Sequence, residues 1–233
     1  MGISINIAIQ MARSTPFLEG KKNGIMLGRQ KMHFRPNWKS RLIEQLAKQG
    51  IVASEDDLFQ DDQFCESFLK TIGWPALESL DFSAIEGAQY IHDLSEPIDG
   101  SLRKKFDVIY DGGTTEHVFD IASSFRNIHH MLKDDGIFIS CVGTDGWFGH
   151  GFYQVGPDIP WRYWSATLGY DVLKCCTFNR TSREAPRDIT DPAVNRRGAE
   201  HRYDSPQFLF YVVQKNGEKD TYPATIQSHY LDY

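Results

Sequence analysis

The chain has 233 residues, enough for one α/β domain with a full hydrophobic core. Its net charge of −6 leaves it without the basic face that phosphate contacts require, so no nucleic-acid partner is expected. No apolar run approaches the roughly 18 residues of a membrane span, so no membrane partner is expected either. Basic residues gather at Arg180, Arg183, Arg187, Arg196, Arg197 and Arg202, but acids interleave them and the segment reads as a solvated loop. The cysteines (Cys65, Cys141, Cys175, Cys176) form no CxxC pair. They read as small buried hydrophobes in a reducing, cytoplasmic setting. The start lacks a basic stretch ahead of its apolar residues and is not read as a signal peptide.

No repeat or linker divides the chain, so residues 1–233 are expected to form a single domain with residues 1–20 as a lead-in segment. Gly24–Gly28 is a short apolar run ending in glycine, as in a buried parallel strand. Trp38, Leu42 and Leu46 recur at helical spacing after Pro36-Asn37, with Gly50 as a stop. A second helix is expected from the N-cap Ser54 through Leu58, Phe64, Phe68 and Ile72 to Gly73. Together they make 31–75 a helical insertion between strands one and two. Ala76–Phe82 and Ala88–His92 read as short strands, and Phe106–Tyr110 as another that ends at Asp111-Gly112-Gly113. Ile121, Phe125, Ile128 and Leu132 mark one helix face, stopped at Asp134-Asp135-Gly136. Ile137–Val142 is a central strand, Trp161–Leu168 a short helix, and Asp171–Phe178 and Gln207–Gln214 two late strands. Alternating strands and helices predict a doubly wound, mainly parallel sheet, with the late pair forming an antiparallel edge.

The order of these elements and the stretch Phe106–Phe119, FDVIYDGGTTEHVF, resemble class I S-adenosylmethionine (SAM)-dependent methyltransferases. Leu132–Ser140, LKDDGIFIS, supplies the lysine–glycine turn and apolar strand that follow in that superfamily. The likeness spans about Gly24 to Gln214, with its specific part between Asp93 and Val142. Trp147–Gln154, WFGHGFYQ, is similar to a loop in a bacterial methyltransferase-like subgroup. The resemblance implies a Rossmann-like, doubly wound, mainly parallel seven-stranded sheet. It would have helices on both faces and one antiparallel strand near the edge. It also implies SAM as cofactor, bound where the carboxyl ends of the strands diverge.

On that reading Gly28-Arg29-Gln30 is the turn against which SAM lies. The superfamily usually carries several glycines there; here one glycine precedes two bulky polar residues. Either Arg29 and Gln30 contact the SAM carboxylate directly, or the site is degenerate. Asp81 matches the acid that holds the ribose hydroxyls, against the alternative of a turn former before Ser83. Asp93 and Leu94 match the acid and apolar residue at adenine, and His92-Asp93 could equally be a turn before Pro97. Asp111 and Gly112 would lie by the methionine part.

Glu116, Tyr153 and Gln154 would face the acceptor, with His117 as general base and His150 as its alternative. The competing reading makes Glu116 a helix-start acid and His117 a packing residue. Glu116, His117, Asp145 and His150 could collect a divalent ion, but no tight spacing such as HExxH supports it and no metal is expected. His129-His130 reads as an exposed helix face. The implied activity is methyl transfer to a small-molecule or glycan hydroxyl, with a homodimer as the candidate assembly. The alternative is a non-catalytic binding or assembly module that keeps the fold. A nicotinamide enzyme would need GxGxxG opening a helix, which the chain lacks.

Overall fold

In the computed structural model, residues 2–180, 182–195, 204–218 and 221–231 are described; Arg196, Arg197 and Arg202 of the basic segment lie outside them. Strand β1 (Gly24–Leu27) is buried on both faces, as its apolar run dictates. It pairs in parallel with β2 (Leu77–Asp81) on one side and β4 (Phe106–Asp111) on the other. Outside β2 lies β3 (Tyr90–Ile91), and outside β4 lies the long β5 (Leu132–Asp145), both parallel to their neighbours. The order across the sheet is β3-β2-β1-β4-β5-β8-β6-β7, with β6 at Asp171–Asn179, β7 at Arg187–Asp188 and β8 at Gln207–Gln214. Strand β8 is antiparallel to both β5 and β6. The expected Rossmann-like sheet with an antiparallel strand near its edge is therefore present. It has eight strands, because the two-residue β7 adds an antiparallel edge to β6.

Alternation along the strands divides the core into two layers. Met26, Val108, Tyr110 and Ile139 face α1 (Ile5–Ser14), α2 (Pro36–Ala47), α3 (Glu55–Leu58) and α4 (Glu66–Thr71). Ile25, Leu27, Ile109 and Phe138 face α5 (Ile121–Met131) and the π-type helical segment Ile159–Thr167, whose Trp164 is wholly buried.

Three expectations are corrected here. The lead-in is a helix, α1, whose residues are nearly all buried against the sheet; such a helix belongs to the core. The helix expected from Ser54 to Gly73 is two. Ser54 and Asp57 close a reciprocal capping box over the single turn α3, which stops at the extended Phe59 before α4 begins at Glu66. The segment between them forms a bridge from Phe64 to Lys31. His129 is buried, not exposed. Its ring nitrogens meet the hydroxyls of Tyr170 at 3.0 Å and Tyr222 at 3.2 Å. Beside it the fully buried Lys215 donates to the carbonyls of His129 and Leu132, supplying a cation at the α5 C-terminus. Burial holds the His129 imidazole at a pKa of about 4, with Lys215 adding to the depression.

Candidate functional site

The chain leaves β1 for β2 on one side and reaches β4 on the other, so the carboxyl ends of these strands diverge around Leu27, which is in register with Leu80 and Asp111. Such a switch point is where open α/β sheets bind ligands. Gly28 turns the chain there with φ +69°, and its N–H donates to the Leu80 carbonyl. A side chain at Gly28 would stand 3.0 Å from Thr114 Oγ1 and 3.7 Å from Asp81 Oδ2, so glycine is required by conformation and by space. Thr114 Oγ1 in turn donates to the Leu27 carbonyl at 2.6 Å, tying the β4 turn to β1.

Beside this turn a cavity of about 270 Å³ opens, lined by Asp81, Phe82, Asp93, Leu94, Thr114 and His117 among others. The two aspartates are built alike. Asp81 Oδ1 accepts the Ser83 N–H and Asp93 Oδ1 accepts the Ser95 N–H, each at the second residue onward. This turn chemistry fixes each carboxylate and leaves its second oxygen without a partner among the described residues. The turn-forming and ligand-binding readings of these residues are therefore compatible. A larger groove of about 670 Å³ runs along α1 and Gly73, but it gathers no converging carboxylates or imidazoles.

At the end of β4 the fully buried Asp111 is surrounded by donors. Its Oδ1 accepts from the N–H groups of Gly113, Thr114 and Thr115, and its Oδ2 from Thr115 Oγ1 and Ser140 Oγ. Burial raises its pKa against the opposing pull of these bonds. Asp111 is the internal post of the Gly-Gly-Thr-Thr turn, with both oxygens engaged inside the protein and neither turned to a cofactor. Gly112 is packed on Gln30: a side chain there would fall 2.7 Å from Gln30 Cδ.

The turn Asp111 holds delivers Glu116 and His117. Glu116 is fully buried and its Oε2 accepts the Gly143 N–H at 2.6 Å. Its Oε1 has no hydrogen-bond partner among the described residues. The loop after β5 folds back so that the N–H groups of Phe152 and Tyr153 both reach the Glu116 carbonyl. Gly151, at φ +76°, permits this approach, because a Cβ there would lie 2.9 Å from that oxygen. His150 is thereby set with Nε2 3.4 Å from Glu116 Oε1, while His117 Nε2 lies 3.7 Å from it. The two imidazoles stand edge to face, 4.9 Å between centroids. Burial pushes the Glu116 carboxyl up to about 7 and lowers both histidines.

The structure thus brings Asp81, Asp93, Leu94 and His117 around one cavity, with Gly28 in the adjoining turn outside its lining and Glu116 and His150 in contact with His117. Other expected site residues are engaged elsewhere. Arg29 lies over the Phe64 ring at 3.7 Å, donates to Glu66 at 2.7 Å and reaches Asp62 at 3.4 Å, so its charge is matched inside the insertion. The Gln30 amide folds back to donate to the Leu27 and Gly28 carbonyls. The Tyr153 hydroxyl donates to the Phe119 carbonyl and Gln154 Oε1 accepts the Trp147 N–H, so both stitch the loop. Phe82, Thr114 and Phe119 join the cavity without having been expected; Thr114 was signalled only by a hydroxyl following the glycine pair. Phe82 and Phe119 remain largely exposed at its mouth, Phe119 edge-on to Phe152.

Neither a protein-family model nor a curated protein matches this chain. Among solved structures it is similar to an S-adenosylmethionine-dependent methyltransferase from Mesorhizobium loti, with 14% identity over 91% of this chain and 98% of that one, at a TM-score of 0.47. It is also similar to the N-methyltransferase NodS from Bradyrhizobium japonicum in complex with S-adenosyl-L-homocysteine, with 12% identity over 91% and 87% of the two chains and a TM-score of 0.46. A match to the citrinin polyketide synthase CMeT domain has 13% identity, a TM-score of 0.45 and covers 92% of this chain. This chain spans about half of that one, 54%. The fold assignment rests on the strand order and directions themselves, and the chemistry on the residues that line the cavity.

Proposed function

We propose that this chain is a SAM-dependent methyltransferase acting on a small-molecule or glycan hydroxyl. One observation carries the reading: Asp81 and Asp93, each with one carboxylate oxygen held in a local turn and the other without a partner among the described residues, line a cavity at the switch point together with Leu94 and His117. Asp81 suits a vicinal diol, as the ribose acid does in dinucleotide folds. Asp93 suits an exocyclic amine, and Leu94 with Phe82 offers apolar walls to a purine. When bound, SAM supplies a methyl group already activated by the sulfonium. The chain's own task is then to position the acceptor and exclude water, and the Glu116–His117–His150 group, of which His117 lines the cavity, would do so. The buried, free cysteines accord with a cytoplasmic setting.

The second reading, a non-catalytic module, draws on one feature. Gln30 packs where a glycine would leave room beside Gly112, and Arg29 is tied into the insertion. Calorimetry on chelator-treated protein with SAM and with S-adenosylhomocysteine separates the two. The enzyme reading expects both to bind with micromolar dissociation constants; no heat from either at millimolar ligand leaves the non-catalytic module standing.

A further inference from the structure

The polar atoms of Glu116, His117 and His150 converge on each other without hydrogen-bonding each other. Glu116 Oε1 and His150 Nε2 are both buried and both lack a hydrogen-bond partner among the described residues, although they are 3.4 Å apart. His117 Nε2 lies 3.7 Å from the same Glu116 oxygen, and the three residues can offer one ligand atom each within 4.8 Å of one another. Buried polar atoms left unpaired are costly, so two of them at one point favour an occupant that bonds both. A shared proton would satisfy Glu116 and one imidazole and leave the other idle. A cation bound by all three satisfies every atom.

We propose that Glu116 Oε1, His117 Nε2 and His150 Nε2 bind a divalent first-row transition-metal ion. Ligands about 2.1 Å from a tetrahedral ion stand roughly 3.4 Å apart, and the two Glu–His separations here, 3.4 and 3.7 Å, need only a small contraction. One carboxylate with two imidazoles suits zinc, manganese, iron or cobalt; an all-oxygen set would have suited magnesium or calcium. The carboxylate is held from behind, since Glu116 Oε2 accepts the Gly143 N–H, which is the outer support that metal-ligating carboxylates use. His117 is a half-exposed wall of the cavity, so coordination positions remain open toward it. Ion binding itself does not depend on the methyl-transfer reading. If that reading holds, the ion would orient and acidify the acceptor hydroxyl, and His117 would act as a ligand in place of a free base.

A second cluster, at the far end of α5, provides the control. His129, His130 and Glu218 have comparable spacing. There, however, both His129 nitrogens meet tyrosine hydroxyls, Arg103 reaches His130 and Lys215 holds Glu218. The test is titration of chelator-treated protein with Co²⁺, followed by visible absorption and by calorimetry. One Co²⁺ per chain is expected, with d–d bands that Zn²⁺ abolishes. Glu116→Gln and His150→Ala should each lower affinity at least tenfold, and His130→Ala should leave it unchanged. Because Glu116 is buried, His117→Ala serves as the variant least able to disturb folding, with the same loss expected. Absent d–d bands, or bands unaffected by the Glu116, His117 and His150 substitutions, overturn the proposal. SAM calorimetry on the metal-free protein is a separate measurement, so failure of one leaves the other readable.

Discussion

Among the described residues, two places bring two imidazoles and a carboxylate within ligating distance, and they differ in whether those groups are already satisfied. Beneath the end of α5, the buried His129 is bonded at both nitrogens and Lys215 is held by two carbonyls and Glu218. Beside the cavity, Glu116 Oε1 and His150 Nε2 have no hydrogen-bond partner among the described residues. The same contrast separates two strand-end aspartates: Asp111 accepts five hydrogen bonds, whereas Asp81 keeps one oxygen free. Buried polar groups that are fully bonded act as structure, and those left open at a cavity point to a ligand.

The comparison is broken most directly at Asp111. Asp111→Ala should destabilise the fold by about 3–5 kcal/mol, the scale of opening a buried polar network, as read from urea unfolding. If the variant instead unfolds like the parent and loses SAM affinity, Asp111 belongs to the cofactor side after all.

His129 sharpens the contrast through pH. Its folded-state pKa is depressed to about 4 by burial. The unfolded chain therefore takes up a proton near pH 6.5 that the folded chain refuses, and stability present above that pH falls as pH drops toward 4. The expected loss is on the order of 2–3 kcal/mol. Urea midpoints measured between pH 7 and 4 should show this slope, and His129→Gln should flatten it.

At Asp81 the expected effect is smallest and of the other kind. Asp81→Ala should weaken SAM binding by about 1–3 kcal/mol with little change in urea midpoint. A stability loss with unchanged affinity would reassign Asp81 as a turn former alone.

Much of the fold was readable from local pattern. The apolar run of β4 and its Asp-Gly-Gly turn, the α5 face from Ile121 to Ile128 and the late strands were each encoded within a dozen residues, where periodicity and turn chemistry act. Helix α1 was not, because Ile3, Ile5, Ile7 and Ile9 recur at a spacing of two, whereas the segment folds as a helix buried nearly all round. Nor was the break between α3 and α4, which depends on the Phe64 bridge to Lys31.

For the site, the sequence by itself determined that Asp81, Asp93, Leu94 and His117 end or follow successive strands, and a parallel sheet carries such positions to one edge. Only the tertiary structure decided which of their polar atoms are free. Arg29 is neutralised by acids 33 and 37 residues away, and Asp111 takes a hydroxyl from Ser140 on the next strand. His150 comes to Glu116 because Gly151 lets a remote loop lie on the Glu116 carbonyl. Strand ends follow from short-range preferences; hydrogen-bond satisfaction depends on neighbours that meet only after the chain has folded.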